Sequence, residues 1–115
     1  MKRVNVKSVT PLDLVVGDRV LDHGAILEVV RVEDSKFHAN EADRVVACTC
    51  RLIGEPGSIP RSWFDTPTSL VTRGAQWAES LEDGLYWRVQ GNSKAKFSKI
   101  LSNATKEAIT PSHSA

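Results

Sequence analysis

Residues 13 to 33 read DLVVGDRVLDHGAILEVVRVE, and the fold depends on whether this run is helical or extended. Two turn signals cut it. Gly17-Asp18 is a strong turn dipeptide, and Asp22-His23-Gly24 marks a second turn, because glycine accepts the positive φ that tight turns demand. Between them Arg19-Val20-Leu21 starts one strand. After them AILEVVRVE carries Ile26, Leu27, Val29, Val30 and Val32, a density of β-branched residues that favours a strand over a helix. The stretch is therefore β structure.

The same signals continue in both directions. Upstream, RVNVKSV is short and β-branched, although Val4, Val6 and Val9 alternate imperfectly, and a Pro-led turn at PLD follows. Downstream, EDSKFHANEAD reads as a polar loop or hairpin tip, and RVVACTCRLI (44–53) is the clearest strand in the chain. GEPGSIPRSWFDTPTS (54–69) holds three prolines and two glycines, so it reads as irregular chain with a single turn around Pro60–Phe64, Pro60 at its first position. SLVTRG (69–74) reads as a short strand and AQWAESLEDG (75–84) as a two-turn helix stopped by Gly84. LYWRVQ (85–90) is a strand and Gly91-Asn92 turns it. KAKFSKIL (94–101) is either its hairpin partner or a helix.

At 115 residues, with 41% apolar and 25% charged side chains, the chain has the size and composition of one globular domain that needs no metal or disulfide staple. The expectation is a single, mainly β domain over residues 1–101, a small SH3-like barrel or open roll of five to seven short strands with at most one or two short helices. Residues 102–115 are expected to form a polar, flexible tail. The start MKRVNVKSV is followed by no continuous apolar stretch, and no apolar run approaches the roughly 20 residues that cross a bilayer. A soluble protein of the cytoplasm, with no membrane partner, is expected.

DLVVGDRVLDHGAILEVVRVE resembles the entry to an SH3-like or KOW-like small barrel, in which a Gly-Asp turn precedes a strand and the next strand runs toward a polar loop. The order GDRVLDHGAILEVVRV, GSIPRSW, YWRVQGN is similar to that of small bacteriophage and prophage accessory proteins. That resemblance implies a protein that binds and modulates a host or defence protein in the host cytoplasm, and it implies no active site.

The residues give little support to catalysis. There is no Gly-rich phosphate loop, dinucleotide fingerprint or HExxH motif, so no cofactor is expected. Glu33-Asp34 and Glu82-Asp83 sit in expected turns, where solvation explains paired carboxylates. Cys48 and Cys50 share one face of a strand, in an orientation poor for a disulfide, and read as reduced structural thiols. With His38 and either Asp43 or His23 they could make a tetrahedral metal set, but a Cys-x-Cys strand is not the knuckle spacing of structural zinc sites. A small metal- or thiol-dependent enzyme is the third choice behind two binding readings, and the chain is expected not to be an enzyme.

Both binding readings use the same residues. The net charge is only +1, but from Gly84 onward five basic residues face one acid. On a strand Leu85, Trp87 and Val89 share a buried face, while Tyr86, Arg88 and Gln90 share the other. An aromatic, a guanidinium and an amide in a row, with Lys94 and Lys96 beyond, could anchor a partner protein or stack a base and hold a phosphate. Arg61 and Trp63 form a second candidate patch. Trp63 and Phe64 are adjacent, so in an extended segment at least one points outward, and an aromatic in a Pro/Gly-bounded loop is either a plug closing the barrel or an exposed anchor. Trp77 packs the short helix onto the barrel. Homodimerisation through an unpaired edge strand is a further expectation.

Overall fold

The computed structural model describes residues 5–35 and 43–101. The tail at 102–115, Val4, His38 and His113 lie outside the described residues. Six strands form one antiparallel sheet: β1 (Val6–Val9), β2 (Arg19–Asp22), β3 (Ala25–Asp34), β4 (Val46–Leu52), β5 (Tyr86–Gly91) and β6 (Phe97–Ile100), in the order β1-β6-β2-β3-β4-β5. The chain is mainly β and open, as the sequence leads one to expect, with one short α-helix, α1 (Pro67–Thr72), and short 3-10 turns among the described residues.

The β2–β3 hairpin turns on two residues, His23 and Gly24, with φ of 51° and 81°. Positive φ at both central positions makes the turn that matches strand twist, and histidine is among the residues that tolerate it. A bulge between Val29 and Arg31 then shifts the β3–β4 register by one residue. Before it Ala25, Leu27 and Val29 face the core; after it Val32 does, while Val30 turns to the opposite face.

The sheet curls on itself. Val9 on one edge strand and Val89 on the other lie in one buried cluster with Leu14, Val20, Leu27, Val29, Val46, Cys48 and Cys50. The 3-10 turn Pro11–Asp13 closes one mouth against β4 and β5. Phe64 and Ile59, from the Pro/Gly-rich excursion, plug this core as well.

The outer face is also covered at the β3–β5 end. Leu70, Ala78 and Tyr86 form a second buried cluster with Val30, Val71, Ala75, Trp77 and Leu81. Two local expectations are corrected here. SLVTRG is not a strand: Thr66 accepts from the Ser69 amide at 3.2 Å and Ser69 Oγ accepts from the Thr66 amide at 2.8 Å, a reciprocal cap that starts α1 with Pro67 in its first turn. AQWAESLEDG forms a 3-10 turn over Gln76–Ser80, too short to propagate an α-helix.

Residues 97–100 are a strand, but not the hairpin partner of β5. β6 pairs with β1 and β2 instead, Val6 opposite Ile100 and Arg19 opposite Ile100 on its two sides. β2 and β1 each need a neighbour, and the curl brings the end of β5 close enough for a short loop to deliver one.

Candidate binding surface

The structure divides the expected row of Tyr86, Arg88 and Gln90. All three share a face, but only Arg88 and Gln90 are exposed; Tyr86 retains 1% of its surface. Its hydroxyl donates to the Glu82 carbonyl at 2.7 Å, its ring lies under Leu70 and Ala78, and burial pushes its phenol pKa up. Tyr86 therefore cannot stack on a ligand. Its ring is the keystone of the outer cluster.

Trp87 belongs to the core side, as expected. Its ring meets Phe64 with centroids 5.6 Å apart, and its Nε1 donates to Asp22 Oδ2 at 2.9 Å, tying β5 to the β2–β3 turn. Of the adjacent aromatics, Phe64 is the plug and Trp63 the exposed residue, with 66% of its surface accessible. Arg61 beside it is exposed too. Trp77 packs on the sheet, and Arg31 stacks over its ring 4.4 Å from the centroid, a contact that no local motif signals. The Arg31 Nε is buried without a hydrogen bond among the described residues, 3.8 Å from a Glu33 carboxylate oxygen.

The two patches adjoin. Asp65 bridges to Tyr86 at the start of β5, each backbone amide donating to the other's carbonyl, at 2.9 and 2.7 Å. Trp63 is two residues earlier, within about 7 Å of chain. Had this segment stayed extended, Trp63 would have paired with Arg88. The 3-10 turn Arg61–Trp63 breaks it off there, leaving the rest of the β5 edge without a backbone partner among the described residues.

That edge has a defined polarity. The Leu52 amide donates to the Leu85 carbonyl and the Tyr86 groups face Asp65, so by alternation Leu85, Trp87 and Val89 bond toward β4 while Arg88 and Gln90 point away. Among the described residues nothing pairs with the outward backbone groups of Arg88 and Gln90. The side chains of Arg88, Lys94 and Lys96 likewise have no ion-pair partner among them, whereas Arg51, Arg73 and Lys99 are engaged by Glu82, Asp65 and Asp18. The exposed candidates thus fall on β5 (Arg88, Gln90), in the loop after it (Lys94, Lys96) and in the turn that precedes the Asp65 bridge (Arg61, Trp63).

Cys48 and Cys50 are fully buried and unbonded to each other. Burial, reinforced by the Asp18 carboxylate, pushes the Cys48 thiol from 9.0 up to about 11, and burial pushes Cys50 higher still, helped by Cys48 and Asp22. Both thiols are held in the form that neither attacks nor ligates. Among the described residues no three His, Cys, Asp or Glu side chains gather in a ligating group, and no helix is long and apolar enough to cross a membrane.

A raised folded-state pKa means that the native protein holds its protons longer than the unfolded chain. Cysteine-linked stability should be fully present below pH 9 and lost as pH climbs toward 11. At pH 8 iodoacetamide should alkylate native protein at least about 100-fold more slowly than protein unfolded in guanidinium. Comparable rates in the two states would show the thiols to be accessible.

No family model matches the chain, and no curated protein or solved structure is significantly similar to it.

Proposed function

We propose that this is a non-enzymatic binding protein that engages a partner protein through the surface of Arg61, Trp63, Arg88, Gln90, Lys94 and Lys96. One observation carries the reading: among the described residues the outward backbone groups of Arg88 and Gln90 have no partner, Arg88, Lys94 and Lys96 on β5 and the loop after it have no ion pair, and the exposed Trp63 lies two residues before the bridge at the start of β5. Tryptophan and arginine are the residue types that most often anchor protein interfaces. The resemblance to phage accessory proteins makes a host or defence protein the partner.

The rival reading, a nucleic-acid module built on Tyr86, Arg88, Lys94 and Lys96, loses its stacking platform with the burial of Tyr86. It predicts anisotropy of labelled single-stranded DNA, duplex DNA and RNA that rises at low salt and falls steeply with added salt.

A photo-crosslinking side chain at position 94 should capture a cellular protein that the same group at Lys7 does not. That protein, identified and purified, should bind Arg88→Glu/Lys96→Glu at least tenfold more weakly than the parent chain. Equal affinity for the two, or tight salt-sensitive oligonucleotide binding, would sink the proposal.

A further inference from the structure

We infer that the open edge of β5 is a strand-addition site for an acidic, extended segment of the partner, an inference that rests on the protein-binding reading above. Arg88 and Gln90 each direct one amide donor and one carbonyl acceptor away from β4. A sheet edge of this kind is a template for a further strand, and proteins that do not use such an edge usually blunt or cover it. Here the cover is begun and abandoned. Asp65 makes one residue's worth of pairing with Tyr86, and the chain then leaves through the 3-10 turn Arg61–Trp63.

The alternating donors and acceptors choose between macromolecules. A phosphodiester backbone offers acceptors to the two amides but no donor to the two carbonyls. An extended peptide offers both, in register, at every second residue.

Charge selects among peptides. The side chains that a guest strand would meet on the outer face are Arg88 and Gln90, with Lys94 and Lys96 in the loop beyond. Acidic side chains at alternate guest positions would face them, and the intervening side chains would continue the apolar face of Trp87 and Val89. Trp63, at the other end of the edge, would cover an apolar guest residue. A second copy of β5 is a poorer guest, because it would bring its own Arg88 and lysines against these.

The edge also tolerates a clean test. The Gln90 N–H points away from β4, so Gln90→Pro removes an edge donor while the β4–β5 ladder keeps its bonds. The probe is a capped heptapeptide of alternating valine and glutamate, added at millimolar concentration and low salt to the full chain labelled for amide-resolved NMR. Exchange of the Arg88 and Gln90 amides should slow at least tenfold, with the Trp87 and Val89 amides unaffected. A valine–lysine peptide should have no effect. Methylation of the acidic peptide's alternate amides should abolish the slowing, as should Gln90→Pro in a chain whose melting temperature is unchanged.

Binding of the acidic peptide without slowed Arg88 and Gln90 exchange would overturn strand addition. So would full affinity for the methylated peptide, or no binding of the acidic peptide at all. If the crosslink at position 94 persists in any of these cases, the surface binds a protein in another way and only this inference falls. If the crosslink is also absent, both fall.

Discussion

Tyr86→Ala should destabilise the protein by about 3 to 5 kcal/mol, the range for truncating a large buried aromatic. Arg88→Ala, two residues along the same face, should change stability by less than about 0.5 kcal/mol. The contrast follows from what covers each side chain. Tyr86 keeps 1% of its surface and joins the outer face of the sheet to Leu70, Ala78 and their neighbours, whereas Arg88 is exposed. Its loss should loosen α1 and the Gln76–Ser80 turn first, and with them the Asp65 bridge at the start of β5. Tyr86→Phe separates the parts: it retains the ring and forfeits only the bond to the Glu82 carbonyl, about 1 kcal/mol. Urea unfolding of the three variants decides the point. A Tyr86→Ala midpoint within error of Arg88→Ala would mean that the outer cluster contributes nothing to the fold.

That prediction reverses how the residue reads locally. Period-two alternation through LYWRVQ separates Leu85, Trp87 and Val89 from Tyr86, Arg88 and Gln90 correctly, and it allots one face to the core. Alternation cannot say whether the other face is wet. Here it is dry at Tyr86 and wet at Arg88, because the covering segment ends between them. A signal did exist in the excursion: Leu70, Val71, Ala75, Trp77, Ala78 and Leu81 are too many apolar residues for a solvated connection, and they needed a sheet face to bury against.

Most strands were legible because their turns were. Gly17-Asp18, His23-Gly24 and Gly91-Asn92 act locally, and β-branched runs between them have few alternatives. The pairing of β6 was not legible, since partner choice is settled by the curl of the whole sheet rather than by Phe97–Ile100 themselves. The same limit applied to the site. Arg61 and Trp63 read as a patch separate from Arg88, Lys94 and Lys96, 27 positions separating Arg61 from Arg88, and the Asp65–Tyr86 bridge with the Phe64–Trp87 contact brings them to one strand.

Gly57→Ala should cost about 2 to 5 kcal/mol, adding a left-handed backbone penalty of 1 to 2 to an overpacking penalty of 1 to 3. Gly57 has φ of 63°, and a β-carbon there would come within 2.2 Å of the His23 carbonyl oxygen, 2.4 Å of the Gly24 carbonyl carbon and 2.5 Å of the Ala25 nitrogen. All three are backbone atoms of the β2–β3 hairpin, so no side chain can swing away. Gly17→Ala provides the control: its φ is 99°, but among the described residues nothing beyond its chain neighbours lies within 4 Å of the added carbon, and only the backbone penalty should remain. The loop cannot simply lift off the hairpin. Ser58 donates to the His23 carbonyl from its amide at 2.8 Å and from its hydroxyl at 3.1 Å, and Ile59 next to it is buried in the core. Displacing that loop displaces the turn it leads into, so Gly57→Ala should also weaken binding of the crosslinked partner while Gly17→Ala does not. Equal urea midpoints for the two variants would mean that this loop does not rest on the hairpin, and that Trp63 is not held beside β5 from that side.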